Sequence, residues 1–300
     1  MEKTLIVITG PTGIGKTDTA IKIAKHLDTE IISADSRQIY RGLPIGTACP
    51  STEELAMVRH HFINILNLDE YYSAAQFESD VMNLLPQLFA KHDYVVMCGG
   101  SMMYVDAVCN GIDDIPTVSD EVRTEAYSLL EKEGIEGIAR RVAEIDPDYY
   151  SIADKQNAKR LVHALEIYMQ SGKPFSSFRT GQKKTRPFRI LKFALNMPRE
   201  ELFTRINTRV DKMVEMGLEQ EARSVFHLRH LNSLNTVGYK EMFAYFDGVM
   251  DFTTACERLK KNTRVYAKKQ LTWYAKDPDI ITLHPSTAVT EILAHLNFVS

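Results

Sequence analysis

Short unbroken apolar runs alternate, over the first hundred residues, with stretches whose apolar side chains recur every three or four positions. The runs at 4–9, 30–34 and 94–98 are too short for helices and show no polar alternation. They predict strands buried on both faces, the habit of a parallel sheet. Within 18–27, Ala20, Ile23, Ala24 and Leu27 fall at helical spacing. Ser73-Ala74-Ala75-Gln76 has the form of a capping box and opens a helix predicted to run to about Leu88. After Gly111 the texture changes. A turn-rich exit, Asp113-Asp114-Ile115-Pro116-Thr117, leads into helical periodicity at 119–133, 135–145 and 156–171. Gly172-Lys173-Pro174 breaks that pattern, and 188–194 predicts a strand returning to the sheet. Beyond it, helices are predicted over 199–216, 217–228, 238–246 and 252–275.

Directly after the first apolar run stands Gly10-Pro11-Thr12-Gly13-Ile14-Gly15-Lys16-Thr17. This is a complete phosphate-binding loop pattern, of the kind found in ATP-binding proteins, between a predicted strand and a predicted helix. The glycines allow backbone N–H groups to converge on phosphate oxygens at a helix N-terminus. Lys16 adds a point charge and Thr17 a hydroxyl for a magnesium ion. The expected fold class is therefore α/β, a P-loop NTPase-like parallel sheet with a mainly helical insertion. Residues 1–116 form the first part of the catalytic core, 117–190 the insertion, and 191–300 the core completion and C-terminal helices.

Ligands of open parallel sheets sit outside the carboxyl ends of the strands. Those ends carry the loop above, then Asp35-Ser36-Arg37-Gln38-Ile39-Tyr40, then Gly99-Gly100-Ser101. Asp35 thus points toward phosphates held by Lys16 and Thr17, as a magnesium ligand, a general base or an N-cap for the next helix. A γ-phosphate-cleaving enzyme of this kind usually ends a later strand in an acid. Here that strand ends in Cys98-Gly99-Gly100, which weakens the motor and switch readings.

Composition changes the picture in one respect. The chain has 300 residues and a net charge of −3, which alone favours no polyanion. Yet 167–199 holds no acidic residue and includes Lys173, Arg179, Lys183, Lys184, Arg186, Arg189 and Lys192. The block 258–276 is likewise free of acids and rich in lysine and arginine, with Tyr266 and Trp273 interleaved. Such blocks suit a nucleic acid with stackable bases, or equally a solvated helix face. Cys49, Cys98, Cys109 and Cys256 are scattered and predict reduced thiols, with no disulfide or zinc site. No apolar run could span a bilayer, and the first strand begins too early for a targeting peptide. A cytoplasmic monomer without membrane partners is expected. His60 and His61 face different ways in any regular structure and are expected to be structural.

These residues resemble one family, the tRNA dimethylallyltransferases of bacterial type. The resemblance rests on Gly10 through Thr17, on Asp35-Ser36-Arg37-Gln38-Ile39-Tyr40, on His60-His61-Phe62 and on Tyr72 through Phe77. It extends to Gly99-Gly100-Ser101, to Val237-Gly238-Tyr239-Lys240-Glu241, to Thr263-Arg264, and to Ala267 through Trp273. It implies transfer of the dimethylallyl group from dimethylallyl diphosphate to N6 of adenosine 37, in tRNAs that read codons beginning with U. Gly10, Pro11, Thr12, Gly13, Ile14, Gly15, Lys16 and Thr17 would bind the diphosphate, with Mg2+ on Thr17. Asp35 would accept a hydrogen bond or the proton from N6, and Lys16, Thr17 and Arg209 would stabilise the leaving group. The adenine must be extruded from its loop to be reached. The resemblance puts it in a channel entered opposite the donor, near Asp35, Ser36, Arg37, Gln38 and Ser101. Arg123 and Gln156-Asn157-Ala158-Lys159-Arg160 would grip the anticodon stem-loop from the insertion.

Three positions depart from the family pattern. Met102 replaces a glycine, Ile14 a serine, and His163 an arginine of the insertion helix. The chain also ends without the zinc-finger extension of eukaryotic relatives. The rival readings are an adenylate isopentenyltransferase acting on free AMP, ADP or ATP, a P-loop small-molecule kinase, and a non-enzymatic RNA-binding module.

Overall fold

In a computed structural model, which describes residues 2–297, six parallel strands form one sheet in the order β3-β2-β4-β1-β5-β6. They are β1 (Thr4–Thr9), β2 (Ile31–Ser33), β3 (His60–His61), β4 (Tyr94–Cys98), β5 (Arg189–Leu195) and β6 (Ile280–Leu283). Ile6 on the central strand stands opposite Val96 on one side and Leu191 on the other.

Every residue of β1 is buried because both faces of the sheet are covered. Successive side chains point to opposite faces. Ile6 and Ile8 pack with Val96 and Phe193 against α1 (Lys16–His26), α8 (Arg199–Glu215) and α12 (Ala288–Asn297), through Ile23, Ile206 and Ile292. Leu5 and Val7 face α3 (Ala74–Phe89) and α4 (Met102–Asn110), meeting Phe77, Val81 and Val108. A third cluster joins α9 (Leu218–Ser224), α10 (Tyr239–Phe246) and α11 (Phe252–Tyr274) to α8 and to the chain after β2, through Ile39, Leu43, Leu218, Tyr239 and Leu259.

Residues Asn110–Lys184 form a second compact unit. Its helices are α5 (Asp120–Ile145), α6 (Pro147–Ile152) and α7 (Ala158–Ser171). They enclose their own core of Ala126, Ile138, Val142, Tyr149, Leu161 and Phe175.

Several elements differ from the sequence reading, each for a local reason. The helices expected at 119–133 and 135–145 are the two halves of α5, interrupted at Gly134 where φ is 66°. Ser73 does cap α3, its hydroxyl accepting from the Gln76 amide at 3.1 Å. The reciprocal bond is absent, because the Gln76 side chain donates to Asp80 instead, at 2.8 Å. A closed capping box forms at Ser51 and Glu54, opening α2 (Thr52–Met57). The segment expected to be helical at 217–228 stops at Ser224 and continues as a 3-10 turn over Phe226–Leu228. Strands β3 and β6 and helices α2, α4, α6 and α12 carry too short or too mixed a pattern to stand out in the sequence.

Candidate active site

The carboxyl ends of β1, β2 and β4 meet at one edge of the sheet. Gly15 caps α1 in the left-handed conformation, φ 102°, with no side-chain cap on the helix. A β-carbon would strain that φ, and the amides of the first turn keep their donors for an outside acceptor. Ile14 turns away from the loop mouth and is fully buried in the core, which explains how an apolar residue is tolerated there. Lys16 Nζ donates to the carbonyls of Gly10 (3.0 Å) and Pro11 (2.9 Å). Thr17 lines the mouth of the loop, and its hydroxyl has no protein partner among the described residues.

The other two loops are tied to this one. A β-carbon on Gly99 would overlap the Ala34 carbonyl, so the ends of β2 and β4 lie in direct contact. Ser101 Oγ accepts from the Ser36 amide (2.8 Å) and donates to Ser36 Oγ (3.1 Å). Gln270 of α11 is 1% exposed. Its Oε1 accepts from the Thr12 amide (2.8 Å) and its Nε2 donates to the Gly100 carbonyl (2.7 Å). No helix follows Asp35. Its Oδ1 accepts from the amides of Arg37 (2.9 Å) and Gln38 (3.3 Å), closing a tight turn. Oδ2 has no protein donor among the described residues.

Two cavities of about 350 Å³ each meet at these residues, sharing Thr12, Lys16, Asp35, Thr47, Gly100 and Arg209. The first continues along the P-loop past Gly13, Gly15 and Thr17 to Arg205 and His60. The second continues past Ser36, Arg37 and Ser101 to Met213, Val237, Leu259, Tyr266 and Gln270. Asp35 is the acid common to both.

The junction is electropositive, with Lys16 and Arg209 beside Asp35. Burial, reinforced by the nearby Arg209 charge and opposed by Asp35, pulls the Lys16 ammonium down to about 8. Burial likewise lowers Arg209, again opposed by Asp35. Arg209 Nη2 donates to Thr12 Oγ1 at 2.7 Å, while its Nε is buried without a partner among the described residues. Buried donors are rarely left unmatched in proteins, so this guanidinium is shaped for an anion. Burial drives the thiols of Cys98 and Cys49 up, to about 12 and about 11, so neither is a nucleophile.

The structure brings the predicted P-loop residues together with Asp35, Ser36, Ser101 and Arg209. Two of the residues grouped with them also hold backbone. Arg37 Nη1 donates to the carbonyls of Asn232 (2.9 Å) and Ser233 (3.1 Å). Gln38 Nε2 donates to the carbonyls of Thr47 (3.3 Å) and Ala48 (2.9 Å). His61 pairs with Glu30 at 2.6 Å and His60 bonds the Val58 carbonyl at 2.8 Å, while His60 also borders the first cavity. In the helical unit, Asn157 caps α7 by accepting from the Arg160 amide. Gln156, Lys159 and Arg160 are exposed, and Ala158 is the first helical residue. Arg123 lies 3.8 Å from the buried carboxylate of Glu166, which also meets His163 at 3.3 Å.

Arg205, Gln270 and Tyr266 were not legible as site residues. Arg205 and Arg209 are four apart on α8, a spacing that aligns them on one face, and that was the available signal. Gln270 and Tyr266 lie inside the basic block 258–276, where Tyr266 stands out only as one of the interleaved aromatics. Among the described residues no cluster of three or more His, Cys, Asp or Glu could hold a metal, and no helix is long and apolar enough to cross a membrane.

A phosphate loop joined to a carboxylate, with cations around the junction and no acid at the end of β4, defines a P-loop transferase. Comparison with known proteins gives the family. The model of the IPP transferase family matches residues 38–277. The tRNA dimethylallyltransferase 1 of Bacteroides thetaiotaomicron is 54% identical over 293 residues, 98% of this chain and 95% of the relative. Among solved structures, the full-length tRNA isopentenylpyrophosphate transferase of Bacillus halodurans superposes with a TM-score of 0.71 at 33% identity, over 99% of this chain and 96% of that one. A eukaryotic dimethylallyltransferase acting on tRNA gives a TM-score of 0.81 at 27% identity, over 95% and 75% of the two chains. The chain belongs to the IPP transferase family.

Proposed function

We propose that this protein transfers the dimethylallyl group of dimethylallyl diphosphate to N6 of adenosine 37 in the anticodon loop of tRNA. The observation that carries the reading is the pair of cavities meeting at Asp35, one running along the P-loop and the other away from it. Two substrates can thus reach one carboxylate from two sides. Its family membership and its close relatives' names agree with that chemistry.

The diphosphate occupies the first cavity, on the amides of Gly13 through Thr17, with Lys16, Arg205 and Arg209 around it. The extruded adenine enters the second, past Ser36, Arg37 and Ser101. N6 attacks the allylic C1, the N6–C1 bond forms, and the C1–O bond breaks with its electron pair leaving on diphosphate. The N6 proton passes to Asp35, whose Oδ1 is fixed by two amides while Oδ2 is free to accept. The cations stabilise charge growing on the leaving diphosphate. The unpartnered Thr17 hydroxyl is a hard oxygen donor in the same cavity and would hold Mg2+ there. When bound, that ion would neutralise charge on the leaving group. Arg123, Gln156, Asn157, Ala158, Lys159 and Arg160 of the helical unit would contact the tRNA, together with the basic blocks, giving salt-dependent affinity.

Label transfer tests the reading. With Mg2+ and without ATP, label from dimethylallyl diphosphate should pass to an anticodon stem-loop bearing adenosines 36 and 37, and not to AMP. Label on AMP alone would make this an adenylate isopentenyltransferase. Label on neither, from folded protein, would remove prenyl transfer altogether.

A pH dependence follows from Lys16. Its protonated form binds the diphosphate, and its value of about 8 in the free protein means that charge is lost as pH rises through 8. kcat/KM for dimethylallyl diphosphate is therefore expected to fall above about pH 8, with an unperturbed lysine instead sustaining it to about pH 10. A profile flat from neutrality to pH 9.5 contradicts this.

A further inference from the structure

Helix α11 turns one face toward the second cavity, and Leu259, Thr263, Tyr266 and Gln270 recur along it at helical spacing. The polar groups on that face differ in one respect. Thr263 Oγ1 donates to the Leu259 carbonyl at 2.8 Å. Both ends of the Gln270 amide are engaged, on Thr12 and Gly100. Tyr266 is half-buried, and its hydroxyl has no hydrogen-bond partner among the described residues. Burial pushes this phenol up to about 12, with the Asp35 carboxylate adding in the same direction, so it keeps its proton. The hydroxyl is not buried in protein but borders the second cavity. A neutral phenol facing a cavity is thus a donor awaiting an acceptor.

The extruded adenine supplies one. With N6 at Asp35, the polar atoms adjoining it on the base are N1 and N7, both bare acceptors that flank the C6 position. Asp35 cannot donate to them in its ionised form. Ser101 Oγ donates to Ser36 Oγ, Arg37 Nη1 is engaged on the Asn232 and Ser233 carbonyls, and Lys16 and Arg209 stand at the junction of the two cavities.

Building on the function proposed above, we infer that Tyr266 binds the acceptor base, its phenol O–H donating to a ring nitrogen of the extruded adenine while Asp35 takes N6. Two residues then read neighbouring atoms on one edge of the purine. Guanine presents a carbonyl to Asp35 where adenine presents an amine, so the pair selects adenine by mismatch as well as by match.

Tyr266→Phe removes one oxygen and keeps the packed ring. Its kcat/KM for the anticodon stem-loop should fall about tenfold, the loss of one hydrogen bond in an enclosed site. KM for dimethylallyl diphosphate should not change, whereas a merely structural role would disturb both substrates. Stem-loops carrying 1-deazaadenosine or 7-deazaadenosine at the target position test the contact without mutation. One of the two should cost the parent enzyme about tenfold and cost the Phe variant nothing further. Parent-like kinetics of Tyr266→Phe on the RNA, or equal additional losses on both deaza stem-loops, overturns the assignment. Absence of transfer by the parent protein removes the function itself and the assignment with it. Failure confined to the variant and analogue comparison removes Tyr266 alone.

Discussion

Asp35→Asn will slow prenyl transfer at saturating substrates by roughly 10²- to 10⁴-fold, the range of a positioned general base. The substitution is well matched to the geometry. An asparagine Oδ1 can still accept from the Arg37 and Gln38 amides, so the turn after β2 is retained. What changes is the second atom, where an acceptor for the N6 proton becomes an amide that can only donate. Stem-loop affinity should therefore stay near that of the parent while the single-turnover rate collapses. Equal thermal unfolding midpoints for the two proteins would establish that the loss is chemical. An Asn variant transferring at the parent's rate would take Asp35 out of the reaction.

Lys16→Ala should lower kcat/KM for dimethylallyl diphosphate by about 10²- to 10³-fold, typical of removing a preorganised stabiliser of developing charge. Lys16 borders both cavities, so its charge lies where the allylic C–O bond breaks. The effect should appear with the donor as the varied substrate and leave stem-loop binding intact. Lys16 also donates to the Gly10 and Pro11 carbonyls, so part of the loss will come from a looser loop. Lys16→Arg separates the two contributions. It keeps the charge but is too long and planar for the same position, and it should recover only a minor part of the activity. Loss of RNA affinity with normal donor kinetics would place Lys16 on the other substrate.

The parts of the fold that could be read from the sequence are those dictated locally. Leu5 through Ile8, followed at once by the glycine-rich loop and an amphipathic helix, leave little choice of structure. The same holds for Tyr94 through Cys98, and for the segment ending at Asp35, so the sheet edge that carries the site was legible. Strand β3 is two residues long and β6 is a four-residue edge strand of mixed burial. Neither has enough periodicity to separate it from loop. Ser73 shows the limit from another direction, since its motif was right and the partner side chain chose Asp80. Ile14 looked like a departure from a phosphate loop, and only packing explains it. The roles of Arg205, Gln270 and Tyr266 are set by contacts between elements far apart in the chain, which no local pattern encodes. Gln270 lies 258 positions from the Thr12 amide that it holds.

That last separation bears on how the protein is made. A ribosome releases the P-loop long before α11. Until α11 emerges, the Thr12 amide and the Gly100 carbonyl lack the side chain that spans them. The nascent chain can assemble β1, β2 and β4 early, because their pairing needs nothing beyond residue 98. Its anion-binding loop nevertheless stays unbraced until Gln270 has been made. A protein cut before Gln270 would display the whole glycine-rich motif and lack its fixed shape. The recognisable signature and the brace for it stand far apart in the chain, so affinity for diphosphate should be acquired only as α11 docks.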